Sequence, residues 1–174
     1  MTTILTPAAE NHFLPDFLAF EQSLAAYGAF GSLSQTFLRL ASPGVPDTYQ
    51  GSELWELSLV DPDNRRPVDF AMREALLADL TNHDISDLLK TWQTGSVKQY
   101  AIQKTLSCRR DQPHVFQNGE YIPLEAGGKH ADNAIAFARH AGMAWIVAVR
   151  PAFRQDSRSR RVLPSGNVRG PTRS

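Results

Sequence analysis

Residues 43–69 read PGVPDTYQGSELWELSLVDPDNRRPVD, and how this stretch is taken decides the fold of the chain. It holds four prolines, two glycines, six carboxylates and two adjacent arginines, with Tyr49, Trp55, Leu57, Leu59 and Val60 between them. That mixture is too polar for a core strand and too rich in large apolar groups for a disordered linker. It predicts a short strand, Asp47 to Gln50, ended by Gly51 and running into a long ordered loop that reaches Pro67 and carries function.

Upstream, Phe13, Phe17, Phe20, Leu24 and Tyr27 recur at helical spacing, and Pro15 falls in the first turn, where its missing N–H costs little. Gly28 or Gly31 is expected to break this helix. A second would follow, with Ser32 as cap, Leu33, Phe37 and Leu40 on one face and Pro43 as stop. Both helices are too aromatic for a solvent-washed surface and require covering partners. Downstream, Asp69 caps a third helix bearing Met72, Leu76 and Leu80, and a short helix follows Asp84. A fifth, Ser96 to Arg110, aligns Val97, Ala101, Thr105 and Cys108, with Cys108 expected as a buried small hydrophobe rather than a nucleophile. After Pro113 the pattern changes to short strands, His114–Phe116, Tyr121–Leu124, Ala134–Ala138 and Trp145–Val149. Asn118-Gly119, Gly127-Gly128 and Gly142 separate them. Such a small antiparallel unit leaves an edge exposed unless something covers it.

The length of 174 residues suits one domain, or one and a fraction. A net charge of zero hides an asymmetry. From Arg150 onward seven arginines face one aspartate, 7 − 1 = +6, so the preceding residues carry 11 − 17 = −6. Such a tail predicts disorder or an anion-binding arm. Its arginines lack a structured basic face, which argues against nucleic acid as partner. A single cysteine fits a reducing compartment, no run approaches a membrane span, and MTTILTPAAE does not read as a signal peptide; the expected location is the cytoplasm. His12, His114, His130 and His140 lack the mutual spacing of a metal site, and no cofactor is expected.

Helix, short strand, long polar loop and helix make one unit of an α/β barrel or open sheet, whose functional groups gather at the carboxyl ends of the strands. Tyr49, Gln50, Glu53 and Trp55 would sit there. Flat aromatic faces beside carboxylates and arginines suit a neutral polyhydroxylated ligand better than phosphate, for which no glycine-rich cradle is present. Asp61, Asp63, Arg65 and Arg66 either meet that ligand or pin the loop through ion pairs and aspartate turns; Glu56 reads as a solvated loop charge.

Residues 42–70, SPGVPDTYQGSELWELSLVDPDNRRPVDF, resemble the last barrel-strand segment of the maltooligosyl trehalose synthases, an α-amylase-type family. The wider α-amylase family has the looser pattern G-x-P-x-x-Y-x-G-x-E. The flanks FLPDFLAFEQSLAAYGAFGSLSQTFLRLASPG and RRDQPHVFQNGEYIPLEAGGKHADNAIAFARH resemble that family too, so the likeness covers roughly residues 12–149. It implies an α/β fold class: the last strand and helices of a (β/α)8 barrel over 1–112, incomplete in this chain, followed over 113–149 by the start of a small antiparallel β-rich unit. Residues 150–174 would be a disordered basic tail.

The implied activity converts the reducing-end α-1,4 linkage of a maltooligosaccharide into an α,α-1,1 linkage, through an aspartate nucleophile, a glutamate acid/base and a further aspartate. Those acids lie on loops after earlier barrel strands, and none of their motifs is present here. Asn82-His83-Asp84 reads instead as a helix cap. The resemblance places Tyr49 and Glu53 on the pocket floor, and Asp61, Asp63, Arg65 and Arg66 on the loop facing the reducing-end subsites. The implied partner is a maltooligosaccharide; the chain is then either a subunit completed by a separate chain that supplies the rest of the barrel, or a truncated product. The alternative is a non-catalytic saccharide-binding or interaction module built on Tyr49 and Trp55. The segment RPAFRQDSRSRRVLPS departs from the family's strand alternation, which predicts a shifted reading frame from about residue 150.

Overall fold

The computed structural model describes residues 4–152. One continuous helix, α1 (Phe13–Ala41), replaces the two expected. Asn11 opens it, its side-chain oxygen accepting the Leu14 N–H at 3.1 Å. Gly28 and Gly31 stand in its interior with open space around them, and Ser32 is no cap. A lone helical glycine costs only about 1 kcal/mol relative to alanine, too little to end a helix whose neighbours on both sides propagate it.

The two halves of α1 differ in how they are covered. Phe37 and Leu38 pack against Phe137 and Ala148, and Leu33 packs against Leu80, Leu88 and Val97. The aromatic stripe of Phe13, Phe17, Phe20, Leu24 and Tyr27 is exposed along the other half, as expected for a helix that needs a partner.

No strand forms at Asp47–Gln50; residues 45–49 carry no regular element, and a turn follows at 50–53. A strand exists only through the neighbour that pairs its N–H and C=O groups, and among the described residues no strand lies beside this one. Helix α2 (Phe70–Asp79) starts where the sequence places it, with the Asp69 carboxylate accepting the Met72 N–H at 2.9 Å. Asp84 caps α3 (Ile85–Lys90) in the same way through Asp87 N–H. Helix α4 (Ser96–Asp111) buries Val97 and Ile102, while Cys108 is half-buried rather than enclosed.

The strand expected at His114–Phe116 is instead helix α5 (Pro113–Asn118). Proline at its first position sets φ for a helical turn and loses no hydrogen bond there, and the adjacent Val115 and Phe116 are both buried, which a strand's alternation would forbid. Gly119 ends it because nothing larger fits: a Cβ there would stand 2.2 Å from the Val115 carbonyl oxygen.

Strands β1 (Glu120–Leu124), β2 (Ala134–Ala141) and β3 (Ala144–Pro151) form an antiparallel meander in the order β1-β2-β3. Pro123 pairs with Phe137 and Phe137 with Ala148, putting all three on the face that meets α1. Pro123 has no N–H to give, and β1 is accordingly an edge strand. Gly142 (φ 61°) and Met143 make the two-residue turn between β2 and β3; among the described residues only glycines have positive φ, which makes this a type II′ hairpin.

Arg139, 2% exposed, donates through Nη2 to the carbonyls of Phe116 (3.1 Å) and Gly119 (3.0 Å), sealing the carboxyl end of α5. The opposite face of the sheet carries Trp145, Val147 and Val149, all exposed, with His140 stacked on Trp145 at 4.0 Å. Strand β3 runs on through Arg150 and Pro151, past its expected end. The rest of the basic tail, with the frame shift proposed for it, lies outside the described residues.

Candidate functional site

The loop between α1 and α2 is fixed by cations on helices behind it. Arg109 of α4 donates through Nη1 to the Leu40 carbonyl (2.7 Å) and through Nη2 to that of Gly44 (2.8 Å), while its guanidinium lies 4.7 Å from the Phe116 ring centre. It thereby closes the carboxyl end of α1 and sets the direction in which the chain leaves it. Arg73 of α2 takes the Gly51 carbonyl (3.1 Å), the Asp69 carbonyl (3.0 Å) and Glu53 Oε2 (3.2 Å), joining both ends of the loop. Lys98 of α4 donates to the Leu54 carbonyl at 3.0 Å and lies 5.7 Å from the Trp55 ring centre.

Between these anchors the loop ties itself. The Asp63 carboxylate accepts the Leu59 N–H at 2.8 Å and pairs with Arg66. Asp61 pairs with Arg65, whose Nη2 donates to Asp61 Oδ2 at 3.0 Å. Backbone bonds from Asp63 N–H to Val60 O and from Arg65 N–H to Pro62 O complete a tight turn over residues 60–65. Both arginine side chains remain 72% exposed, so each guanidinium is held by one carboxylate and keeps donors facing water. The loop is thus pinned by these four residues, as the ion-pair reading expects, while both guanidinium groups keep donors open to solvent.

Tyr49 is 50% exposed, with its hydroxyl 3.5 Å from the Asn64 carbonyl oxygen. Trp55 is more constrained: its indole N–H donates to the Trp92 carbonyl at 2.7 Å, its ring meets Trp92 edge to face at 6.3 Å, and Lys98 stands over it. Of the two aromatic residues expected to form a platform, Tyr49 is the open one. Glu53 is half-buried and already paired with Arg73.

Two charges at the loop base are perturbed. Hydrogen bonds from Ser58, with Arg73 and Arg66 adding their attraction, hold the Glu56 carboxyl below the ordinary carboxylate range although it is exposed. Burial pushes the Lys98 ammonium below the ordinary lysine range. Arg39 reinforces that shift, while Glu53 and Glu56 oppose it.

The arrangement offers directed hydrogen-bond donors from Arg65 and Arg66, acceptors from Asp61, Asp63 and Glu53, and one aromatic face. These are the groups that recognise vicinal hydroxyls. Among the described residues no set of three His, Cys, Asp or Glu side chains is placed to hold a metal ion. Sequence reasoning singled out the loop residues and missed Arg73, Lys98 and Arg109. Apart from the Asp69 carbonyl, the loop groups they hold lie 20 or more residues away, beyond the reach of any local motif.

No protein-family model matches the chain. Over 116 residues it is 40% identical to proteins named maltooligosyl trehalose synthase in two strains of Mycobacterium tuberculosis, a match covering 67% of this chain and 13% of theirs. A crystal structure of maltooligosyl trehalose synthase superposes with a TM-score of 0.69 at 34% identity, over 75% of this chain and 18% of that one. A variant of the maltooligosyltrehalose synthase from Arthrobacter ramosus gives 0.66 at 38% identity, over 85% and 18%. The chain therefore spans only a small part of the length of the proteins it matches.

Proposed function

We infer that this chain, a homologue of one segment of the maltooligosyl trehalose synthases, forms the last wall of a saccharide-binding barrel and the start of the β-rich unit behind it. In this reading residues 1–112 are the carboxyl-terminal end of the catalytic barrel with its helical extension, and residues 113–149 begin the next unit. The completed enzyme would convert the reducing-end α-1,4 linkage of a maltooligosaccharide to α,α-1,1, in trehalose biosynthesis in the cytoplasm. This chain's share is binding: Tyr49 and Glu53 on the floor, Asp61, Asp63, Arg65 and Arg66 towards the reducing end. The nucleophile, the acid/base and the third carboxylate come from polypeptide outside these residues, whether a separate chain or not. The observation that carries the reading is the loop itself, where Arg65 and Arg66 are held in place yet 72% exposed on a stretch with the family's motif.

The test is calorimetric titration of the chain with maltopentaose, alongside an assay for loss of reducing ends. Binding without turnover is expected. Turnover by the chain alone would contradict the account of the missing acids, and no binding would remove the wall. In a full-length relative, alanine at the arginine matching Arg66 should raise KM or shift the balance between hydrolysis and isomerisation.

A second reading, a non-catalytic maltooligosaccharide-binding module, is favoured by the half-exposed Tyr49. Mixing the chain with the amino-terminal part of a relative separates the two: restored turnover supports the wall, and binding without it supports the module.

A further inference from the structure

Lys98 is 6% exposed, in the first turn of α4, and its ammonium makes one hydrogen bond to a carbonyl. Taking an ammonium out of water is costly, and a methionine fills similar space without that cost. The lysine therefore destabilises the fold locally, and what its charge provides is geometry. Its single acceptor is the Leu54 carbonyl, and the ring beneath it is Trp55, so it grips two consecutive residues of the loop from the α4 side. Arg73 grips the same turn from the α2 side at Gly51 and Glu53, and Ser52 N–H closes it back onto the Tyr49 carbonyl at 3.1 Å.

We propose that Lys98 is a positioning residue that holds the Gly51–Trp55 turn, and with it Tyr49 and Glu53, in the conformation that meets a saccharide; this rests on the reading of the loop as a saccharide wall. The charge matters because a carbonyl oxygen and an indole face are both electron-rich and share no neutral donor that could bridge them. With the ammonium removed, the Leu54 carbonyl loses its donor, while Trp55 stays held by its bond to Trp92 and its packing against Leu80, Leu88 and Val97. The turn is then tied at Gly51 and Trp55 but released at Leu54 between them, and Glu53 gains freedom relative to Tyr49.

The experiment is hydrogen exchange on the full chain, comparing wild type with Lys98→Met and Lys98→Arg, together with maltopentaose affinity for each. Lys98→Met should speed exchange across residues 50–56 by about tenfold, while the amides of the β-sheet stay as in wild type. Lys98→Arg should restore most of the protection. Affinity should fall at least about threefold in Lys98→Met and recover in Lys98→Arg. Unchanged exchange at 50–56 in Lys98→Met overturns the proposal, and so does a rise spread evenly over loop and sheet, which would mark a role in overall stability alone. If the loop loosens as expected but wild type fails to bind maltopentaose, the clamp stands and the saccharide wall is what fails.

Discussion

Replacing Arg73 with methionine tests the physical account of the loop most directly, because one side chain joins both of its ends. The guanidinium makes three bonds: to the partly buried Gly51 carbonyl at 3.1 Å, to the exposed Asp69 carbonyl at 3.0 Å, and to Glu53 at 3.2 Å. Hydrogen bonds from a charged donor contribute about 1.5–3 kcal/mol when shielded from water and well under 1 kcal/mol at the surface. The Gly51 bond belongs to the first class and the Asp69 bond to the second. The Glu53 pair lies between them, with the two side chains 14% and 28% exposed. Methionine keeps the packing of the stem, so the loss is electrostatic and totals about 3 kcal/mol.

Urea unfolding followed by far-ultraviolet circular dichroism should show the midpoint falling at constant slope, the mark of lost stability without a changed unfolded state. Combining Arg73→Met with Glu53→Gln in a double-mutant cycle should isolate about 1 kcal/mol of coupling for the pair. A loss below about 1 kcal/mol in Arg73→Met, or no coupling with Glu53, would refute the reasoning: the knot would then be a surface contact with no hold on the loop.

Gly119→Ala should cost about 3 kcal/mol in the same urea assay, since a Cβ 2.2 Å from the Val115 oxygen forces apart the end of α5 that Arg139 seals. The folded-state pKa of Lys98 lies below its unfolded value of about 10.4, so between the two the unfolded chain binds a proton that the folded chain does not. Stability therefore rises with pH through that window relative to Lys98→Met, and a wild-type-minus-variant difference that stays flat with pH contradicts the assignment. Phe20→Ser should change stability by under about 0.5 kcal/mol because that ring is 57% exposed, yet reduce the fluorescence of a bound apolar dye; a large destabilisation would mean that the stripe is already covered.

Local features followed from neighbouring residues alone. Asp69 and Asp84 start their helices because each aspartate reaches an N–H three residues on, an interaction that depends on nothing distant. Strands β1, β2 and β3 were legible from their turn residues and their apolar content. The loop's family was legible as well, because its motif is written in consecutive residues.

Tertiary structure decided what depends on partners far along the chain. Whether Gly28 ends a helix, whether residues 113–118 extend or coil, and whether 47–50 count as a strand all turn on which neighbours are present. Local propensities differ there by only about 1 kcal/mol. The clamp of Arg73, Lys98 and Arg109 was invisible for the same reason: all but one of its acceptors, Glu53, are backbone carbonyls, which every residue has, and only the fold says which of them a buried cation will meet.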